Sequence, residues 1–230
     1  MTIKKTELVE SAHVQIPKRG KGRPSADDNH IDGKEILIEK TCELLSKLPP
    51  KEVTRSAVAR AANVDPSLIR YYFKTHSQLL VAGFERATEE YNWILAGETE
   101  RYDNTPEGQL KARMSALFKL TAKYPYYHRL IVEEIAPAKT QAARGALDKL
   151  TKNRKAAYQD LLRRGKEEGV FREVDVNLTF IAIISLCHFF RSSPEIVKLV
   201  TGRSSNEDEL ADAYKDMVFD LILNGIRKRD

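Results

Sequence analysis

The chain is predicted to be all-α, with a small three-helix unit joined by one long helix to a larger helical domain. Three observations carry that expectation. Apolar residues recur at three- and four-residue spacing from Asp32 onward, no stretch alternates convincingly with period two, and capping residues break the pattern at helix-length intervals. The 230 residues are 42% hydrophobic and 31% charged, which suffices to bury a core and excludes wholesale disorder.

Residues 1–30 show no sustained periodicity and contain Lys18-Arg19-Gly20-Lys21-Gly22-Arg23-Pro24, four cations spaced by glycines with no acid among them. Such a stretch is expected to be a flexible basic arm. Asp32 and Glu35 have capping-box spacing at the start of a first helix. Leu37, Ile38, Thr41, Cys42, Leu44, Leu45 and Leu48 trace its apolar stripe until Pro49-Pro50 stops it. Thr54 can N-cap a second helix reaching about Ala61, and Asn63 suits the left-handed conformation of a sharp turn. Asp65-Pro66 then places a capping carboxylate before a proline at the first position of a third helix, which ends near Phe73.

A fourth helix starts around His76 or Ser77, with Leu79, Leu80, Phe84, Ala87, Tyr91 and Leu95 on one side, long enough to link two domains. Further helices are expected over 106–122, 125–136, 139–168, 176–191 and 207–227. Gly169, followed by Val170 and Phe171, has the pattern of a C-terminal cap, Asp175 starts the next helix, and Asn206 with Glu209 makes a capping pair for the last. The expected domains are therefore the arm at 1–30, a three-helix unit at 31–76 and a helical domain at 77–230.

The net charge of +5 fits a polyanionic partner without proving one. No glycine-rich phosphate loop, nucleophile elbow or metal-spaced set of acids and histidines occurs, so neither an enzyme, a cofactor nor a metal is expected. Glu133 and Glu134 are adjacent, which on a helix turns them about 100° apart, and they read as ends of surface ion pairs. Cys42 and Cys187 sit in separate apolar stretches, as buried reduced thiols suited to a cytoplasm. No apolar signal core opens the chain. The longest apolar run, Leu178 to Phe190, falls short of the roughly 20 residues of a bilayer span, so it is expected to be a buried helix.

Residues 54–73 meet the steric demands of a helix-turn-helix. Ala59 and Ala62 allow close backbone approach, Asn63 makes the turn, and Val58, Val64, Ile69 and Tyr72 seal the inside. Ser67, Leu68, Arg70 and Tyr71 fall on the outward face of the second helix. From pattern alone, the segment is either a DNA reader or a plain helical hairpin in an adaptor protein with a vestigial motif; the basic arm favours the first.

The stretch VTRSAVARAANVDPSLIRYYF, residues 53–73, with KTHSQLL after it, resembles the signature of the TetR family of bacterial transcriptional regulators. The resemblance covers roughly residues 35–80, and more loosely Gly169-Val170-Phe171-Arg172 before Asp175. It departs from the family pattern at Asn63 for a usual glycine, Arg70 for a frequent tyrosine and His76 for a usual lysine. The family likeness implies a homodimer that binds a palindromic operator in double-stranded DNA and is released by a small, largely apolar effector. It places Ser67, Leu68 and Tyr71 near base edges, with Arg70 of the same helix beside them. Thr54, Arg55, Tyr72 and Lys74 would lie on phosphates, and Lys21 and Arg23 of the arm would reach the backbone or the minor groove. The last two helices would pair with their twins in the dimer. For the effector, Phe118, Tyr127, Ile131, Ile184 and His188 are the candidates.

Overall fold

A computed structural model describes residues 33–229; the arm at 1–30 with Lys21 and Arg23, and the cap at Asp32, lie outside the described residues. The elements run α1 Gly33–Leu45, a 3₁₀ turn Pro50–Glu52, α2 Arg55–Ala62, α3 Pro66–Tyr72, α4 His76–Arg101, α5 Pro106–Lys123, α6 Tyr127–Arg129, α7 Gln141–Glu167, α8 Val176–Ser192, α9 Pro194–Thr201 and α10 Asp208–Ile226. The protein is all-α, as the periodicity predicts. The described residues contain no strand, only an isolated bridge between Phe171 and Arg227 that ties the chain end to the α7–α8 turn.

Caps account for most boundaries. The side chains of Thr54, Asp65, Thr75, Thr105, Thr140 and Asp175 accept from backbone N–H groups in the first turns of α2, α3, α4, α5, α7 and α8. At α4 the cap is reciprocal: Thr75 Oγ1 accepts from Gln78 N at 3.2 Å, and Thr75 N donates to Gln78 Oε1 at 3.3 Å. Gly169 closes α7 at φ 72°, where a side chain would be strained. One turn earlier, Gly165 is dictated by space, because a Cβ there would overlap the buried Phe171 ring.

Three expectations need correcting. The segment 125–136 is not one α-helix: α6 widens after Arg129 into a π-helical turn over Leu130–Ile135. Asn206 does not cap the last helix. Its Oδ1 accepts from Arg191 Nη1 at 3.0 Å, and Glu207, without a side-chain cap bond, occupies the N-cap position. The eight-residue α9 between α8 and α10 goes unread in the sequence, where no helix is expected between 191 and 207.

The core is one continuous cluster. Helix α5 lies at its centre, packed on α4, α7, α8 and α10, with Leu110, Met114, Leu117 and Leu120 almost wholly enclosed. Helix α4 bridges the two ends of the molecule: its first turns pack on α1 and its later turns on α5 and α7. Cys42 and Cys187 are buried free thiols, pushed up by burial to about 11 and about 12. Glu133 meets Arg129 at 2.8 Å, in keeping with an ion-pair role.

Helix α8 divides its apolar residues between two sides. Ile183, Cys187 and Phe190 face the core, whereas Leu178, Ile181 and Phe189 are exposed. Ile196, Leu199 and Val200 of α9 and Met217 and Leu221 of α10 are exposed too, and Phe189, Ile196, Val200 and Met217 line one apolar groove. Among the described residues no single helix is long and apolar enough to cross a membrane; α8 and α9 pass only together, bent by 81°.

Candidate functional site

The turn between α2 and α3 is built from local chemistry. Thr54 Oγ1 accepts from Ala57 N at 3.1 Å, so the cap is engaged. Of the first-turn donors, Arg55 and Ser56 N–H remain outside the helical ladder, an arrangement that favours a nearby anion. Asn63 is the one described non-glycine residue at positive φ, 51°, and its N–H closes α2 on Arg60 O. Asp65 Oδ1 accepts from Ser67 N at 2.7 Å and starts α3 beside Pro66.

Val58, Ala59, Ile69 and Phe73 are the buried inner side of this unit. The opposite side presents Thr54, Ser67, Arg70, Tyr71 and Lys74 to solvent. Tyr71 is 77% exposed, its ring standing edge-on to Tyr72 at 5.0 Å. Leu68 and Tyr72 are half-buried and pack against the core, close to Gly33 at the start of α1. Arg55 is half-buried, and its guanidinium donates to Lys74 O at 3.3 Å, linking the start of α2 to the end of α3.

His76, where the sequence leaves the family pattern, bonds inward: its Nε2 lies 2.9 Å from Val53 O. It fastens the first turn of α4 to the segment that leads into α2.

The proposed effector residues divide. Tyr127 and His188 are buried together, with rings stacked 5.9 Å apart. Tyr127 also stacks on Phe84 at 5.7 Å, and its hydroxyl meets Thr88 Oγ1 at 3.1 Å. Phe118 lies elsewhere, against Tyr214 and Phe219 of α10. Ile131, in the π-helical turn, and Ile184, on α8, are half-buried.

Sequence reasoning missed the polar members of this inner region. Arg154 of α7 lies with its guanidinium carbon 4.1 Å from the centre of the Tyr91 ring. Tyr158, one turn on, packs its enclosed ring at 5.1 Å from Phe180. Arg154 Nη2, Tyr158 OH and His188 Nδ1 are buried without a hydrogen-bond partner. Burial lowers the His188 imidazole to about 3, with the charges of His128 and Arg154 adding to the effect, so it is neutral at physiological pH. The signal was available in the spacing: Ala146, Leu150, Arg154, Tyr158 and Leu161 fall on one helical stripe.

The sequence pattern of the family described as "Tetracyclin repressor-like, C-terminal domain" matches residues 103–229. No curated protein sequence matches the chain. Solved structures share the fold at low identity. The ketosteroid transcriptional regulator KstR2 of Mycobacterium tuberculosis is 17% identical with TM-score 0.59, covering 86% of this chain and 97% of that one. The fatty acid degradation regulator FadR from Bacillus halodurans is 20% identical with TM-score 0.62, covering 86% and 98%. The transcriptional regulator FadR from Bacillus subtilis, solved in complex with stearoyl-CoA, is 19% identical with TM-score 0.61, covering 83% and 98%.

Proposed function

Because this chain belongs to the tetracycline-repressor-like (TetR) family of transcriptional regulators, we propose that it is a homodimer that grips a palindromic operator and lets go when a small molecule enters its C-terminal domain. The observation that carries the reading is the solvent face of α2 and α3, where Ser67, Arg70 and Tyr71 stand out beside Thr54 and Lys74 while the inner side is sealed. Helix α3 would lie in the major groove. Ser67 hydrogen-bonds a base edge in either sense, and Tyr71 supplies an apolar ring for a thymine methyl. Arg70, Lys74 and the first turn of α2 hold phosphates and set register. Leu68 and Tyr72, half-buried against α1, contribute through edges and hydroxyl rather than whole side chains. Lys21 and Arg23 add phosphate contacts from the arm.

The dimer would form on the apolar outer face of α8 and α10, joined by α9. A groove of about 360 Å³ between these helices, walled by Phe189, Ile196, Val200 and Met217, suits the side chains of a second copy. Effector binding then favours a conformation whose two recognition helices no longer match the spacing of the groove.

The test is a double substitution, Ser67→Ala with Tyr71→Ala, in the full chain. A gel shift on operator DNA selected from a random pool is expected to lose specific binding, while sedimentation shows the dimer unchanged. Unaltered operator affinity in the double variant would overturn the assignment.

A further inference from the structure

The inner core bears on the chemical class of the effector, given the ligand-release reading above. Three polar atoms there are enclosed without a partner: Nη2 of the half-buried Arg154, OH of Tyr158 and Nδ1 of His188. They belong to one neighbourhood. Arg154 covers the Tyr91 ring and lies one helical turn before Tyr158, His188 stacks on Tyr127, and the Arg154 charge acts next after burial on Tyr91 and Tyr127 and more weakly on Tyr158 and His188. Buried polar groups in folded proteins find partners as a rule, so three exceptions in one place need an explanation.

The neighbourhood is reachable. A cleft of about 260 Å³ between α4 and α7 has Phe84, Thr88, Asn92, Leu150, Asn153 and Arg154 in its wall. Thr88 and Arg154 also belong to the polar centre, so a molecule in this cleft lies against residues of that centre. The carboxylates on that wall are Glu85 and Glu89 of α4. The three inner atoms without partners belong instead to a permanent cation, a phenol and a neutral imidazole.

Charge decides what fits. An arginine donor and a tyrosine hydroxyl both satisfy a carboxylate, which accepts from two groups at once and forms stronger bonds to a cation than a neutral acceptor does. A ligand cation could pair with Glu85 or Glu89 at the wall, but further in it would meet the guanidinium, and none of the three atoms without partners belongs to an anion. A wholly apolar ligand would leave all three atoms as they are. We infer that the effector is a small organic acid, its carboxylate held by Arg154 and Tyr158 and its apolar body lying along Phe84, Leu150 and the Tyr91 ring.

The probes are 2-naphthoate and cyclohexylacetate, each compared with its uncharged amide. They are titrated into the full-length protein by calorimetry while release of operator DNA is followed by fluorescence anisotropy. At least one acid is expected to bind about tenfold or more tightly than its amide. Arg154→Met should abolish that preference and Arg154→Lys should keep part of it. Tyr158→Phe should weaken the acid several-fold without lowering the melting temperature. If Arg154→Met melts early, Tyr158→Phe decides the matter alone, because it removes only the unpartnered oxygen. Equal binding of acid and amide, a preference that survives Arg154→Met at wild-type stability, an acid affinity untouched by Tyr158→Phe, or no binding of either acid at millimolar concentration overturns the proposal. Operator release by the amides with both acids inert refutes the acid and leaves the regulator standing. A ligand-free protein that binds no duplex strikes the regulator reading alone.

Discussion

Replacing Tyr158 by phenylalanine should make the ligand-free protein more stable, although it removes a polar group from a well-packed core. The ring is 2% exposed and keeps its packing on Phe180 after substitution. Only the hydroxyl is lost, and it has no partner. Burying an unsatisfied hydroxyl costs about 1–3 kcal/mol, part of which is offset by the small void its removal leaves. A net gain of about 1–2 kcal/mol is therefore expected. In a chain of this length each kcal/mol moves the melting temperature by roughly 2–4 °C, which gives a rise of about 2–8 °C. Calorimetry at fixed protein concentration measures it, and urea unfolding should show a higher midpoint at unchanged slope. A fall in melting temperature would refute the reasoning, since Tyr→Phe at a bonded hydroxyl loses about 1 kcal/mol instead. Stability and effector affinity should thus move in opposite directions, as at sites that store strain for a ligand.

Other consequences can be measured alongside it. His188 is held neutral to about 3, chiefly by burial, while the unfolded imidazole takes a proton near 6.5, so the unfolded state gains protons first as pH falls. Stability is therefore lost below pH 6.5, by about 2 kcal/mol between pH 6.5 and 5. His188→Phe should flatten that part of the stability–pH curve, and a wild-type slope in the variant would contradict the assignment. Gly165→Ala should cost about 2–3 kcal/mol by driving a methyl into the Phe171 ring, read as an early urea midpoint. Thr75→Ala opens the reciprocal cap of α4 and should cost about 1 kcal/mol, with the melting curve as readout. Val200→Glu, placed on the exposed apolar face of α9, should shift the sedimenting species from dimer to monomer; an unchanged dimer would move the interface elsewhere.

The helix-turn-helix was legible because its geometry is written in neighbouring residues. Thr54, Asn63 and Asp65-Pro66 act within a few positions of themselves, so reading them in order is nearly reading the structure. Where partners are distant, sequence reasoning failed. Phe118 is near Tyr127 in sequence but meets Tyr214 and Phe219 of α10, and since α5 is enclosed on almost every side its apolar pattern cannot say which neighbour a residue meets. Arg154 sits in a charge-rich helix, where a cation reads as solvated until tertiary packing brings the Tyr91 ring beneath it. Helix α9 is short and rich in β-branched residues, and Ile196, Leu199 and Val200 remain exposed among the described residues, so burial gives its period little support. Asn206 has the residue type of a cap, and only its contact with the distant Arg191 shows that it is engaged elsewhere.

Helix α4 is 26 residues long, about 39 Å at 1.5 Å per residue. Its leading end is riveted to the DNA-facing unit by the Thr75–Gln78 cap and by His76 on Val53, while Tyr91, some 22 Å further along by the same rise per residue, borders the Arg154 centre. Such a rod acts as a lever arm. A tilt of about 10° pivoting at Tyr91 swings the His76 end by roughly 4 Å, slightly more than the 3.4 Å step from one base pair to the next. A disturbance of less than a side chain's width at one end is thereby enough to put the reading head out of step with its text.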